Sequence, residues 1–381
     1  MEFLPFSRRH SSTPLVKQPL WVHQRSAVEK WRLRKTFFCA RLWYRSLFSL
    51  TKKISLEHLF CCPLVYVLPM HTIAAYPIPL DDLSLGARLI SEISGRSQEE
   101  VLDRLEKEHC SLGFNVLTAL KEREVSPFVL SEKLQSFYSD TDAFLYETFV
   151  WNRCSLKQDM RQRVLAGLRR WLPFHAKVLV FGDGMGFDCA SLALSGYRVT
   201  YFEIGNKSIE FARRIFSLNN VSVDVCSDLS ESPVDFFDAV VCLDVLEHVE
   251  DPPRVVGELV KHLRSEGLFF SHAPFAYLHA SVSTHLRKNL RWSGDWKCLY
   301  GTSGLIPIDG AFFWNPIIMQ KSAVDPSHRQ RSIYSKTPLF LQIGGLLLSL
   351  SRLWNFPYSF LCCRLVQQQA RKLSPLSPPV S

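Results

Sequence analysis

Three glycines alternate at Gly182, Gly184 and Gly186 directly after the apolar run VLVF, and a carboxylate, Glu203, ends the next apolar run. Glycine has no Cβ, so a turn of this kind bends sharply and lets a ligand lie against its backbone. A carboxylate on the neighbouring run can accept from both hydroxyls of a ribose. Two cofactor classes use such a turn, and the spacing speaks against one of them. A dinucleotide turn is spaced G-x-G-x-x-G and holds its pyrophosphate on an open helix N-terminus. Here the spacing is G-x-G-x-G, and Phe187, three residues after Gly184, is expected to crowd a phosphate.

More chemistry lies downstream in FDAVVCLDVLEHVEDP, residues 237–252. His248 is the first candidate for a general base or for orienting an acceptor. The plainer alternative is a histidine capping the next helix. Glu247 either orients His248 or faces solvent. His272 reads as buried packing. The stretch HAPFAYLHASVSTHLRKNLRWSGDW holds His279, His285, Arg287, Lys288, Arg291, Trp292 and Trp296. Cations among aromatics suit an anionic or aromatic acceptor, but a solvated basic face is the favoured reading.

These residues need rigid supports. From Lys177 the chain reads KVLVFG, RVTYFEI, VSVDVC, FDAVVCLDVL and GLFFSHAP, with helical spacers DCASLALSG and DPPRVVGELVKHLRSE. Near-continuous apolar runs alternating with helices predict a parallel sheet covered on both faces, a doubly wound α/β domain over 153–325. AFFWNPIIMQK is expected to complete the sheet. Upstream, SQEEVLDRLEKEHCSLGFNVLTALKER reads as a helix opened by a capping box, with Glu100 reaching back to Ser97. SDTDAFLYETFVWN reads as a second helix capped by Asp140, whose Phe144, Tyr146, Phe149 and Trp151 are core. QDMRQRVLAGLRRWL makes a third. The helices of 70–152 are expected to form a lid over the cofactor.

VLVFGDGMG, Glu203, Asp228 and the 237–270 stretch together resemble the class I S-adenosylmethionine-dependent methyltransferases, and among them the ubiquinone-biosynthesis type. The resemblance covers residues 150–275. It implies a seven-stranded, mostly parallel Rossmann-like sheet, S-adenosylmethionine as cofactor and a small-molecule acceptor, lipid-soluble or glycan-linked. It assigns the Gly182, Asp183, Gly184, Gly186 turn to the methionine half and ribose. Glu203 takes the ribose hydroxyls and Ile204 the adenine face. Asp228 accepts from the adenine amino group, Leu229 offers an amide beside it, and Leu243 and Asp244 border the sulfonium. One departure stands out: the family's acid two residues before the first glycine is Val180 here, and Asp183 is expected to take over the methionine ammonium. Two other functions stay open, a non-catalytic binding module and, less favoured, an NAD(P)-dependent oxidoreductase.

The chain has 381 residues and a formal charge of +9. Residues 1–70 hold 12 Lys/Arg and three acids, so the remainder is formally neutral and no nucleic-acid role is expected. Eleven cysteines without a C-x-x-C pair point to a reducing, cytoplasmic setting and to no metal site. Residues 1–69 read as a basic extension, either a targeting segment or a stretch preceding the true start at Met70. Residues 326–381 read as an apolar helical segment, interrupted at Gly344–Gly345 and Pro357, and a Pro/Ser-rich tail. Residues 337–363 either dock on the core or touch a membrane surface. Nothing in the sequence sets an oligomeric state.

Overall fold

The computed structural model describes residues 76–323 and 337–374; the basic extension of 1–69 lies outside them. Among the described residues six helices precede the sheet: α1 (Leu83–Ser94), α2 (Gln98–Cys110), α3 (Phe114–Glu122), α4 (Glu132–Asp140), α5 (Ala143–Arg153) and α6 (Ser155–Trp171). Ser97 caps α2 as expected, its Oγ accepting from the Glu100 amide at 3.2 Å. Glu100 does not reach back, because Arg96 and Arg104 claim its carboxylate. The single helix read from 97 to 123 is two, broken at Gly113 with φ +86°, where an added Cβ would sit 2.0 Å from the Ser281 carbonyl oxygen. Asp140 ends α4, and Asp142 stands at the N-terminus of α5.

The α/β core follows as β1 (Lys177–Phe181), α7 (Phe187–Leu194), β2 (Arg198–Phe202), α8 (Asn206–Leu218), β3 (Val223–Cys226), β4 (Phe237–Leu243), α9 (Pro252–His262), β5 (Leu263–His272), β6 (Leu305–Gly310) and β7 (Ile317–Lys321). The seven strands lie in the order β3-β2-β1-β4-β5-β7-β6. The first five are parallel and β7 runs antiparallel to both neighbours. Val178, Leu179, Val180, Val240, Val241 and Phe269 are fully or almost fully buried, as strands covered on both faces require. The order reverses between β1 and β4, and the crevice beyond the carboxyl ends of those strands is where such sheets take ligands. Helix α8 and strand β6 were not legible in the sequence pattern.

The C-terminal helices are α10 (Leu339–Leu350) and α11 (Asn355–Lys372). Gly344 and Gly345 do not interrupt α10. An added Cβ at Gly344 would fall 1.8 Å from the Phe312 carbonyl oxygen and one at Gly345 would strike the Trp314 ring, so the pair lets the helix press against residues 312–314. Pro357 sits in the first turn of α11, where no intrahelical donor is lost.

Candidate cofactor and acceptor site

At the switch point the glycine turn follows β1. Gly182, Gly184 and Gly186 take φ values of +77°, +61° and +80°. A Cβ at Gly182 would meet Val245 at 2.5 Å and one at Gly186 would meet Ala212 at 2.7 Å, so both are needed for packing. Gly184 alone has room on its ligand side, with Thr148 of α5 nearest at 3.4 Å. Glu203 lies directly across from it. One carboxylate oxygen accepts from the Gly184 amide at 2.9 Å, the other from the amides of Ile204 at 2.7 Å and Gly205 at 3.0 Å. Ile204 is 63% exposed beside this carboxylate. Asp228 is exposed after β3 and accepts from the Ser230 amide at 2.9 Å, with Leu229 half-buried next to it.

Asp183 does not face this cleft. Its carboxylate accepts from the amides of Asp188 at 3.1 Å and Cys189 at 2.7 Å, capping α7 from inside. Burial and the neighbouring Asp188 push it up to about 7. Phe187 does not crowd the helix N-terminus either. It is fully buried between Phe149 and Phe211. The α7 amides are instead taken by Asp183, which leaves a pyrophosphate without donors there. Val180 is buried in β1, so no carboxylate stands at the position where the resemblance implies one.

The end of β4 carries a polar network that the sequence did not announce. Leu243 is buried and Asp244 has φ +60°. Trp151 Nε1 donates to Asp244 Oδ2 at 3.0 Å, Lys157 Nζ lies 3.2 Å from the same oxygen, and His272 Nδ1 lies 2.5 Å from Oδ1. Lys157 also pairs with Asp188 at 3.0 Å, as does Arg161 at 2.8 Å. Burial opposes the charge of Asp244, but Lys157 and His272 overcome it and hold the carboxylate below its ordinary range. Burial likewise opposes the Lys157 ammonium, and Asp188 and Asp244 outweigh it. His272 is therefore a partner of Asp244 rather than packing, and Trp151 packs against the core as expected while its indole nitrogen also reaches Asp244. A buried lysine at a helix position gives no sequence signal, because its partners, Asp188 in α7 and Asp244 after β4, lie far along the chain.

His248 lies just beyond. Its Nδ1 faces the Tyr138 hydroxyl at 3.1 Å and the Thr284 carbonyl at 3.2 Å. It does not cap the next helix, since Asp251 does. Burial lowers it to about 4, so it is neutral and a weak base. Glu247 does not face solvent: it is 1% exposed, and neither of its oxygens has a hydrogen-bond partner among the described residues. Burial, then Asp244, raises it well above the carboxylate range. His285 is buried beside it, and Glu247, His248 and His285 form a group that could hold a metal ion. His279 caps a turn through the Ser281 amide. Arg287, Lys288 and Arg291 are exposed and Trp296 is buried, so the basic stretch is a solvated face that does not converge on the cleft. Trp292 lies half-buried under Arg291.

Residues 179–271 match the family model described as a methyltransferase domain. The chain is 32% identical over 134 residues to a ubiquinone biosynthesis O-methyltransferase of Neisseria meningitidis, covering 32% of this chain and 56% of that protein. It is 35% identical over 131 residues to the protein of the same name from Pseudomonas syringae pv. tomato, with the same shares. The chain thus spans about half the length of the curated relatives it matches. Among solved structures, a SAM-dependent methyltransferase from Methanosarcina mazei gives a TM-score of 0.32 at 17% identity, covering 41% of this chain and 96% of that one. The YcgJ protein of Bacillus subtilis gives 0.32 at 14%, covering 39% and 68%. The matched segment runs from β1 to β5, and its strand order and glycine turn are those described above. Over residues 179–271 the chain thus carries a stretch matching a methyltransferase domain and is similar there to curated O-methyltransferases.

Proposed function

We propose that this chain transfers the methyl group of S-adenosylmethionine to a hydroxyl of a small-molecule acceptor. The carrying observation is Glu203, a carboxylate poised between the glycine turn and the end of β2 and held only by backbone amides. The residues present fit the adenosyl half of the cofactor. Glu203 exchanges amides for ribose hydroxyls, Ile204 covers one adenine face, and Asp228 and the Leu229 amide meet the adenine edge. Gly184 supplies the close backbone approach. Leu243 and the locked anion of Asp244 border the reacting centre. The methionine ammonium has backbone only, because Val180 and the inward Asp183 leave it no acid.

S-adenosylmethionine, when bound, supplies a methyl group already electrophilic on its sulfonium. What remains for the chain is alignment and exclusion of water. Tyr138 and the Thr284 carbonyl fix the His248 ring at the mouth of the site. The choice of oxygen as acceptor atom rests on the names of the curated relatives. The absent ammonium acid favours one competing reading, a methyltransferase-like module that binds without turnover.

Calorimetry on the full chain with S-adenosylmethionine and with NADH tests the cofactor. The reading expects binding of the first alone, weakened at least tenfold by Glu203→Ala, since each charge-assisted hydrogen bond is worth about 1.5–3 kcal/mol. Unchanged affinity in the variant removes the reading. Transfer of labelled methyl to a cell extract separates turnover from mere binding.

The C-terminal helices bear on where the acceptor comes from. Leu339, Leu346, Leu353, Trp354, Phe356 and Phe360 are each more than half exposed. Residues 337–374 contain no acid and four cations, Arg352, Arg364, Arg371 and Lys372. An apolar surface on a helix pair whose own charges are all positive is complementary to an anionic lipid surface. No single helix among the described residues is long and apolar enough to cross a membrane; α10 and α11 meet at 112°. Under this reading the helix pair rests on the lipid headgroups. A cavity of about 40 Å³ lined by His272, Phe275, Tyr300, Leu348 and Tyr358 lies between it and the β5 terminus.

A further inference from the structure

Helix α5 turns one face to the cleft. Apart from Arg153 in its last turn, the residues of α5 that are not buried are Phe144, Glu147, Thr148 and Trp151. Positions i, i+3, i+4 and i+7 make one stripe along a helix. Three of the four reach the candidate site. The Phe144 ring stacks on Tyr138, whose hydroxyl meets His248 Nδ1 at 3.1 Å. The Thr148 methyl lies 3.4 Å from where a Cβ on Gly184 would stand. Trp151 Nε1 donates to Asp244 at 3.0 Å. Glu147, the only acid in α5, sits in the middle of this stripe, next to Thr148 and one turn before Trp151.

Glu147 has no counter-charge. Its carboxylate accepts no hydrogen bond and pairs with no cation among the described residues; burial and then Glu108 raise it well above the ordinary carboxylate range. Burial raises the Tyr138 hydroxyl, and Glu147, Glu247 and Glu203 raise it further, so all three carboxylates lie within electrostatic reach of one atom in the cleft. A half-buried acid with no donor facing it is unfavourable by itself. The rest of the stripe, two aromatics and a threonine, holds no cation to answer it.

The sheet side of the cleft has the complementary gap. Val180 is buried in β1, and Asp183 is turned onto the α7 amides, so the glycine turn offers a cationic group nothing but backbone. We propose that Glu147, from the helical lid, is the anionic partner of the methionine ammonium, so that the acid missing from the sheet is supplied by the layer that covers it.

This inference rests on the methyl-transfer reading for the identity of the ligand. A molecule lying on the turn at Gly184 lies against Thr148, and Glu147 is the next residue of α5. An ammonium there favours the charged form of Glu147 and offsets the repulsion from Glu108. The hydrogen bonds between the two are charge-assisted on both sides. Glu203 stands on the sheet and Glu147 on the lid, so a ligand held by both ties the two layers together. The sheet reads the nucleoside half and the lid reads the amino-acid half.

Calorimetry on the full chain with three ligands tests the assignment. They are S-adenosylmethionine, S-adenosylhomocysteine, which keeps the ammonium but has no sulfonium charge, and the analogue of S-adenosylhomocysteine that lacks the amino group. Glu147→Gln is expected to weaken the first two alike, at least tenfold, and to leave the third unchanged. In the parent, removing the amino group from the ligand is expected to cost at least tenfold as well, and the two losses are not expected to add. Glu203→Ala is expected to weaken all three, which keeps the cofactor reading separate from this one. Glu147→Gln is expected to melt no lower than the parent, because it removes a carboxylate that Glu108 repels. A loss for S-adenosylmethionine alone would place Glu147 at the sulfonium. Equal loss for all three would make its role structural. A parent that holds the third ligand as tightly as the second would leave the ammonium without an acid. Each of these overturns the proposal. A parent that binds none of the three removes the cofactor reading, and this assignment with it.

Discussion

The ammonium of Lys157 lies 3.0 Å from Asp188 and 3.2 Å from Asp244, so one buried cation ties α6 to both α7 and the end of β4. Arg161 shares only Asp188. Lys157→Met would leave Asp244 with its charge in a buried place and only Trp151 and His272 as donors. Removing one member of a buried ion cluster costs about 3–5 kcal/mol. Urea unfolding of the variant is expected to show a loss of that size; a loss below about 1 kcal/mol would mean that the network carries little of the fold's stability.

Asp183 offers a pH test. Its carboxyl is raised to about 7 in the folded protein by burial and by Asp188, above the ordinary 3.8. A raised group favours the fold below its unfolded pKa, and that contribution is lost as pH climbs through the folded one. The carboxylate is therefore a growing burden between about pH 4 and pH 7. Asp183→Asn keeps an oxygen for the α7 amides and carries no charge. Its stability relative to the parent is expected to rise across that window and to level off above it. A difference that stays flat from pH 4 to 8 contradicts the inward placement of Asp183.

Tyr138 reaches from α4 to His248. It also stacks on Phe144 at 5.0 Å between ring centres, which fixes its position. Tyr138→Phe keeps the stack and removes one hydrogen bond, worth about 0.5–1.5 kcal/mol. Turnover is expected to fall roughly two- to tenfold with S-adenosylmethionine affinity unchanged. Equal loss of both in steady-state and binding measurements would make Tyr138 part of the cofactor pocket instead.

The apolar face of the C-terminal helices is tested with lipid. Phe356 is 83% exposed and the double change Trp354→Ser, Phe356→Glu disturbs no buried side chain. Sedimentation with vesicles containing anionic lipid is expected to capture the parent chain and to lose the variant, with unchanged melting. Capture that is equal for both, or that persists in high salt on neutral vesicles, speaks against a charged lipid surface.

Much of the architecture was written in local pattern. The five parallel strands, the helices between β1 and β2 and between β4 and β5, and the closing strand β7 each announce themselves as apolar runs bounded by polar or glycine-rich turns. Helix α8 and strand β6 were not read: α8 is polar on its exposed side, and β6 begins in the short segment LIPIDG, whose proline masks it. Gly113 sits in a helical rhythm, and only its contact with Ser281 shows why the chain must break there.

The sequence by itself determined that a backbone turn without side chains lies one strand away from a carboxylate, the pair proposed to meet a nucleoside, because both are set by spacing along neighbouring β-α units. Tertiary structure alone decided where the charges go. It turned Asp183 inward onto helix amides, drew Lys157 to Asp244, and brought His285 from 37 residues beyond His248 to face the same carboxylate. Burial and pairing are properties of distances in space, and a linear pattern records only the distances along the chain.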